Sequence, residues 1–179
     1  MIIIGIFSIS NSIAQKEDKE NLTTEETLYF KIQMPDNWTY QAYSDTYVTQ
    51  LLGFGPVNAL QAVPSEFYDK EENFTVANFR QDAYYTVKNV PLEAYVKDKI
   101  EQQTMMKVVT QSETILDNQT AIQIHAEGFG EMNGYKFLQY YAIHNSDPYF
   151  ISYKAFKYQY EKYLPDFKKM LSTFEFLEN

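Results

Sequence analysis

From Leu28 onward, apolar and polar residues alternate. Leu28, Phe30, Ile32 and Met34 are separated by Tyr29, Lys31 and Gln33, the period of a strand with one buried face, and Pro35 ends it. Tyr40–Gly53, enriched in Tyr, Thr and Val, reads as one or two further strands, and Gly53-Phe54-Gly55-Pro56 as a bend. Ala59–Val63 and Asn73–Arg80 are strand candidates on either side of a charged loop, Asp69–Glu72. Then the period changes. Pro91 stands where a helix begins, and Leu92, Tyr95, Val96, Ile100 and Gln103 follow at spacings of three and four, which predicts a helix over Pro91–Met106.

Four more strands are predicted: Val108–Leu116, Ala121–Phe129, Tyr135–His144 and Tyr149–Phe156. Short turns join them at Asp117-Asn118, Glu131-Met132-Asn133-Gly134 and Ser146-Asp147-Pro148, so they form an antiparallel meander. Asn133-Gly134 carries the strongest hairpin signal, because both residues tolerate the positive φ of a hairpin turn. Tyr160, Leu164, Phe167, Leu171 and Phe174 share one helical stripe, with Pro165 near the first turn of its main stretch. A sheet with two amphipathic helices far apart in sequence predicts an α+β fold, an α/β/α sandwich in which helices cover the apolar faces of a central antiparallel sheet.

The ends of the chain differ in character. Met1–Ile9 is an apolar run and Ser12-Ile13-Ala14 supplies the small residues a signal peptidase reads, which predicts a signal peptide over residues 1–14. It lacks a Lys or Arg ahead of the apolar run, as a truncated signal or a misplaced start would, and it is too short to span a bilayer as a helix. Residues 15–27 are polar and charged, which predicts a flexible linker ahead of a domain over residues 28–179. Four Asn-x-Thr triplets place candidate glycosylation acceptors at Asn21, Asn37, Asn73 and Asn118, a chemistry that requires export. Asn118 at a turn and Asn73 after a charged loop are the accessible ones, whereas Asn37 adjoins the apolar Trp38.

Composition narrows the function classes. At 179 residues the chain suits one domain, and its 17% aromatic content favours strands. Twenty-four acids against fifteen bases give a net charge of -9, and Arg80 is the only arginine, which excludes nucleic acid as a partner and disfavours anionic membranes. The absence of cysteine removes disulfides, thiolate nucleophiles and sulfur-ligated metals, and leans towards an exported chain. Neither Gly53-Phe54-Gly55 nor Gly128-Phe129-Gly130 is a phosphate cradle, and no Gly-x-Ser-x-Gly elbow or Ser/His/Asp arrangement occurs.

Two clusters retain chemical interest. His125 and Glu127 fall on one face of their predicted strand, opposite Ile122, Ile124 and Ala126, and face solvent in this reading. They could begin a divalent-metal site for zinc, manganese or calcium if His144 or Glu131 supplied a further ligand; the plainer alternative is a solvated polar face. The acid clusters Glu17-Asp18-Glu20, Glu25-Glu26 and Asp69-Glu71-Glu72 lack EF-hand spacing and read as solvated charge. No cofactor is expected beyond that weak metal candidate. Tyr140, Tyr141, Tyr149, Phe150, Tyr153, Phe156, Tyr158, Tyr160 and Tyr163 gather near Lys154, Lys157, Lys162, Lys168 and Lys169. They read as either a ligand groove or docking face with a basic end, or simply core rings beside a solvated helix face.

Three segments in order resemble the PsbP-like family: Leu28-Tyr-Phe-Lys-Ile-Gln-Met-Pro-Asp-Asn-Trp38, Val90-Pro-Leu-Glu-Ala-Tyr95, and Tyr163-Leu-Pro-Asp-Phe-Lys-Lys-Met-Leu-Ser-Thr-Phe174. The likeness spans Leu28 to Phe176. It implies a central antiparallel sheet flanked by helices and an exported, extrinsic, non-enzymatic domain. In photosynthetic members such a domain supports calcium and chloride retention by the oxygen-evolving centre of photosystem II. The short segment before Leu28 and the long Asn58–Asn73 loop make the chain more similar to PsbP-like proteins of non-photosynthetic prokaryotes, archaea included. The resulting expectation is a secreted, membrane-peripheral accessory protein that binds a membrane-associated partner without inserting in the membrane. A metal or small-ligand carrier is the alternative, and a hydrolase comes third.

Overall fold

The computed structural model describes residues 22–26, 29–36, 38–43, 50–56, 76–81 and 89–178. The predicted leader, the strand Ala59–Val63, the loop Asp69–Glu72 and the acceptors Asn21, Asn37 and Asn73 lie outside them. Among the described residues, ten strands and two helices occur in the order β1 (Leu22–Glu26), β2 (Phe30–Pro35), β3 (Trp38–Tyr43), β4 (Gln50–Pro56), β5 (Val76–Gln81), α1 (Leu92–Gln102), β6 (Met106–Leu116), β7 (Gln119–Gly128), β8 (Tyr135–His144), β9 (Asp147–Phe156), α2 (Lys157–Ser172) and β10 (Glu175–Phe176). Seven strands form one antiparallel sheet in the order β3-β4-β5-β9-β8-β7-β6, and β1-β2-β10 form a second, smaller one.

Alternation along β7–β9 sorts side chains to the two faces of the large sheet. Ile122, Ile124, Tyr135, Phe137, Tyr141 and Phe150 pack with Tyr95 and Val96 of α1 on one side. Leu138, Tyr140, Tyr149, Ile151 and Tyr153 pack on the other with Tyr160, Tyr163, Phe167 and Met170 of α2 and with Phe30, Ile32 and Met34 of β2. Helix α1 covers one face, while α2 and the small sheet cover the other, which is the predicted α+β sandwich with a central antiparallel sheet. Trp38 anchors this second layer: its Nε1 donates to Asp166 Oδ2 of α2 at 2.8 Å, and its ring meets Tyr163 edge-on.

Several boundaries differ from the sequence expectation, each for a local reason. Residues 22–26, read as linker, form β1, because β2 offers a strand edge and Leu22, Thr23 and Thr24 suit an extended backbone. Gly53–Pro56 is not a bend but the end of β4, paired with β3 from Trp38↔Pro56 to Gln41↔Gly53. The first helix ends at Gln102, and Met106 already belongs to β6. Pro165 lies well inside α2 rather than in its first turn, so the Glu161 carbonyl has no N–H four residues on to accept from.

The hairpin turns also redistribute. Asp117 and Asn118 have φ of 42° and 62°, and Asn145 and Ser146 of 50° and 71°, so these two pairs make the turns with positive φ at both central positions. Asn133 instead has φ -58° and ψ 136° ahead of Gly134 at φ 93°, the pattern of a type II turn, which needs glycine only at its second central position. A 3-10 turn over Gly130–Met132 lengthens this connection. At Gly128 a Cβ would collide with the Met132 carbonyl, so the close approach of that turn requires glycine.

Most of the aromatic cluster is core. Tyr140, Tyr141, Tyr149, Phe150, Tyr153, Tyr160 and Tyr163 are buried, and only Tyr158 is largely exposed, its ring stacked on Phe156. Burial pushes the hydroxyls of Tyr135, where Tyr158 adds to it, and of Tyr140 up to about 12. It pushes Tyr149, Tyr153 and Tyr160 higher still. An unfolded chain releases these protons near pH ~10. Between that pH and the higher folded values the folded state holds more protons, so stability is complete below about pH 10 and falls as pH rises. We expect cooperative alkaline unfolding in which these tyrosines ionise together with loss of the strand signal in circular dichroism. Smooth ionisation of all 16 tyrosines near pH ~10 with the strand signal intact would contradict this burial pattern.

Candidate functional site

The α2 side of the large sheet is not sealed along its whole length. Gln123, His125 and Glu127 project there from β7, since Ile122, Ile124 and Ala126 pack on the α1 side. Across the ladders His125 faces Thr110 of β6 and Leu138 of β8, and Glu127 faces Lys136. Lys157, Tyr160, Glu161 and Leu164 on α2 recur at three- and four-residue spacing, so the same helix stripe that seals the core further along overhangs these residues. Between the layers is a groove of about 450 Å³ lined by Val109, Thr110, His125, Ala126, Glu127, Lys136, Phe137, Tyr160, Glu161 and Leu164.

Val109 owes its place to an irregularity. The β6–β7 register shifts between Val108 and Thr110, leaving Val109 as an extra residue on the outer strand of the sheet and 57% exposed. A bulge of this kind re-aims a side chain and interrupts pairing, and here it sets a valine at the lip of the groove.

Charges on the rim are closed in pairs. Lys136 Nζ lies 3.4 Å from Glu161 Oε1, and Lys157 Nζ 3.3 Å from Glu127 Oε2, tying the first turns of α2 to β8 and β7. All four side chains are substantially exposed, so each pair contributes ~0–1 kcal/mol. The Lys136 ammonium also sits over the Tyr160 ring, 5.2 Å from its centroid. Beneath it, Tyr160 is 4% exposed, and its hydroxyl is the only buried side-chain polar atom among the described residues with no hydrogen-bond partner.

His125 and Glu127 share a face as expected, but they face the groove rather than open solvent. Gln123 Nε2 is 2.9 Å from His125 Nε2; with the amide donating, the neutral imidazole carries its proton on Nδ1. The Glu127 carboxylate meets Lys157. Neither proposed third ligand joins them. His144 ends β8, six residues beyond Leu138 and about 20 Å along the strand. There it stacks on Phe176 at 4.6 Å and lies 3.9 Å from Glu178. Glu131 sits in the 3-10 turn, and no group of three His, Asp or Glu suited to a metal occurs among the described residues. Thr110 and His125 line the same groove without a hydrogen bond between them among the described residues, so no nucleophile–base pair is formed. Asn118 is exposed in the β6–β7 turn, an accessible position for its triplet. No described helix is long and apolar enough to cross a membrane.

Sequence reasoning placed Tyr160 and Lys157 in a general aromatic and basic cluster and missed Lys136 and Glu161. The i, i+3, i+4, i+7 spacing of residues 157, 160, 161 and 164 was the available signal. Which sheet face that stripe overhangs depends on where the helix lands.

No family model matches the chain, and no curated protein does. Solved structures do. Cyanobacterial PsbP (CyanoP) from Synechocystis aligns with a TM-score of 0.57 over 88% of this chain and 92% of its own, at 9% identity. LpqN, described as involved in cell envelope biogenesis of Mycobacterium tuberculosis, aligns at 0.53 over 91% and 88%, at 10% identity. A Pseudomonas aeruginosa protein of unknown function, described as a putative regulator, aligns at 0.50 over 85% and 94%, at 10% identity. At such identities what is shared is the path of the backbone. A seven-stranded antiparallel sheet between two helical layers, aligned along nearly all of CyanoP, shows that this chain has the PsbP-like fold.

Proposed function

We propose that the chain is an exported, non-enzymatic accessory domain that binds a membrane-associated partner on the outer side of a membrane. The observation that carries this reading is the alignment of nearly the whole chain with both CyanoP and LpqN, one a PsbP and the other named for the cell envelope. The apolar run ahead of Ser12-Ile13-Ala14 and the exposed acceptor Asn118 agree with export. A net charge of -9 with a single arginine argues for a protein partner over nucleic acid.

The test is made in the source organism on the full chain. Intact-mass analysis is expected to show cleavage after Ala14, leaving Gln15 at the N-terminus. Cross-linking in living cells is expected to join the chain to a membrane-associated neighbour. An uncleaved chain confined to the cytoplasm would overturn the reading. Calcium, manganese or zinc on His125 and Glu127 is the lesser reading, because Lys157 already occupies Glu127. Calorimetric titration that saturates with one of these ions, and is abolished by His125→Ala, would favour it.

A further inference from the structure

We propose that the groove between β6–β8 and the start of α2 is a site for a small uncharged molecule with an apolar body and one hydrogen-bonding oxygen, which meets the Tyr160 hydroxyl. The inference stands whether or not the chain is exported. Tyr160 is buried in the groove wall with its ring packed on Tyr153, 5.0 Å between centroids, a contact a phenylalanine would make equally well. Its backbone carbonyl accepts from Tyr153 Oη at 2.8 Å, whereas its own hydroxyl is unpartnered among the described residues. Burying a hydroxyl without a partner is costly, and the cost is recovered when a ligand oxygen supplies the missing bond.

The rest of the groove defines that ligand. Val109 and Leu164 contribute apolar side chains to the lining beside the Tyr160 ring, while Ala126 and Phe137, whose side chains turn to the α1 face, border it with backbone, so the body of the molecule is apolar. Two lysines and two glutamates border the groove, and both lysines are paired across it, so their charges sum to zero. An anion or a cation would gain no net attraction and would compete with those pairs. Because the pairs are exposed, they part at little cost to admit a neutral molecule to Tyr160. A volume of about 450 Å³ is in the range of small-molecule sites.

The experiment titrates the full chain with 1-octanol, octanoate and octylammonium, following amide resonances by NMR. We expect saturable shifts for 1-octanol centred on Val109, Thr110, His125, Lys136 and Leu164, and weaker binding of both charged probes. Tyr160→Phe is expected to weaken 1-octanol by roughly 3–10-fold. The same variant is expected to raise the melting temperature of the unliganded protein by a few degrees, a combination that a purely structural tyrosine would not show. Val109→Asp, a change at an exposed position, is expected to weaken binding without unfolding the chain. Unchanged 1-octanol affinity in Tyr160→Phe, tighter binding of either charged probe, or shifts centred elsewhere would overturn the proposal. So would failure of all three probes to saturate, including the case where a partner protein's side chain fills the groove instead.

Discussion

Replacing Phe167 by alanine is expected to destabilise the protein by about 3–5 kcal/mol, enough to remove a large share of a typical domain's 5–15 kcal/mol. Phe167 is fully buried at the middle of the α2 stripe, stacked on Tyr153 with centroids 5.1 Å apart and near Tyr140 at 6.3 Å. Truncation leaves a void between the helix and β8–β9 that the surrounding rings, held by the sheet ladder, cannot close. Urea unfolding followed by the fluorescence of Trp38, the chain's single tryptophan, measures the loss, because that indole is buried against the same helix. A loss under about 1 kcal/mol would mean that α2 does not seal this face.

Breaking the polar ring beneath α1 is expected to cost about 1–3 kcal/mol, the cost of taking the acceptor from the buried Tyr141 O–H. Gln103 Nε2 donates to Tyr141 Oη at 3.1 Å, Tyr141 Oη donates to Gln139 Oε1 at 2.9 Å, and Gln139 Nε2 donates to Gln103 Oε1 at 3.1 Å. Within the ring each residue donates once and accepts once, so it closes on itself while Gln139 is 3% exposed and Tyr141 fully buried. It fixes the end of α1 to the centre of β8. Gln139→Leu takes the acceptor from the Tyr141 O–H and the donor from the Gln103 side-chain carbonyl together. Replacing all three, as Gln103→Leu, Gln139→Leu and Tyr141→Phe, is expected to recover most of the loss, since the ring's polar groups are then removed together. Simple additivity of the three changes would show that the ring is not a unit.

The element types from Leu92 to Ser172 were legible because one side of each element is apolar at a regular period. Ile122, Ile124 and Ala126 identify the α1 face of β7 without any knowledge of α1. What stayed hidden depends on non-local pairing. Leu22–Glu26 becomes a strand only because β2 has an edge to offer, and the Gly53–Pro56 segment stays extended because β3 holds it. Asn133-Gly134 misled because glycine satisfies two turn types and the inserted 3-10 turn selects the second. At the site, the shared face of His125 and Glu127 could be read from β7 alone. The groove could not, because it requires α2 to land over the β6–β8 half of one particular face, and nothing local to residues 157–164 encodes that.

Two helices lying against opposite faces of a single sheet define both the fold and the groove. Nuclear Overhauser contacts between aromatic rings test this arrangement directly. The structure predicts contacts from Phe167 to Tyr153 and from Tyr95 to Tyr141, with none between the α1 and α2 side chains. Contacts from Tyr95 to Phe167 or Tyr163 would place both helices on one face and contradict it.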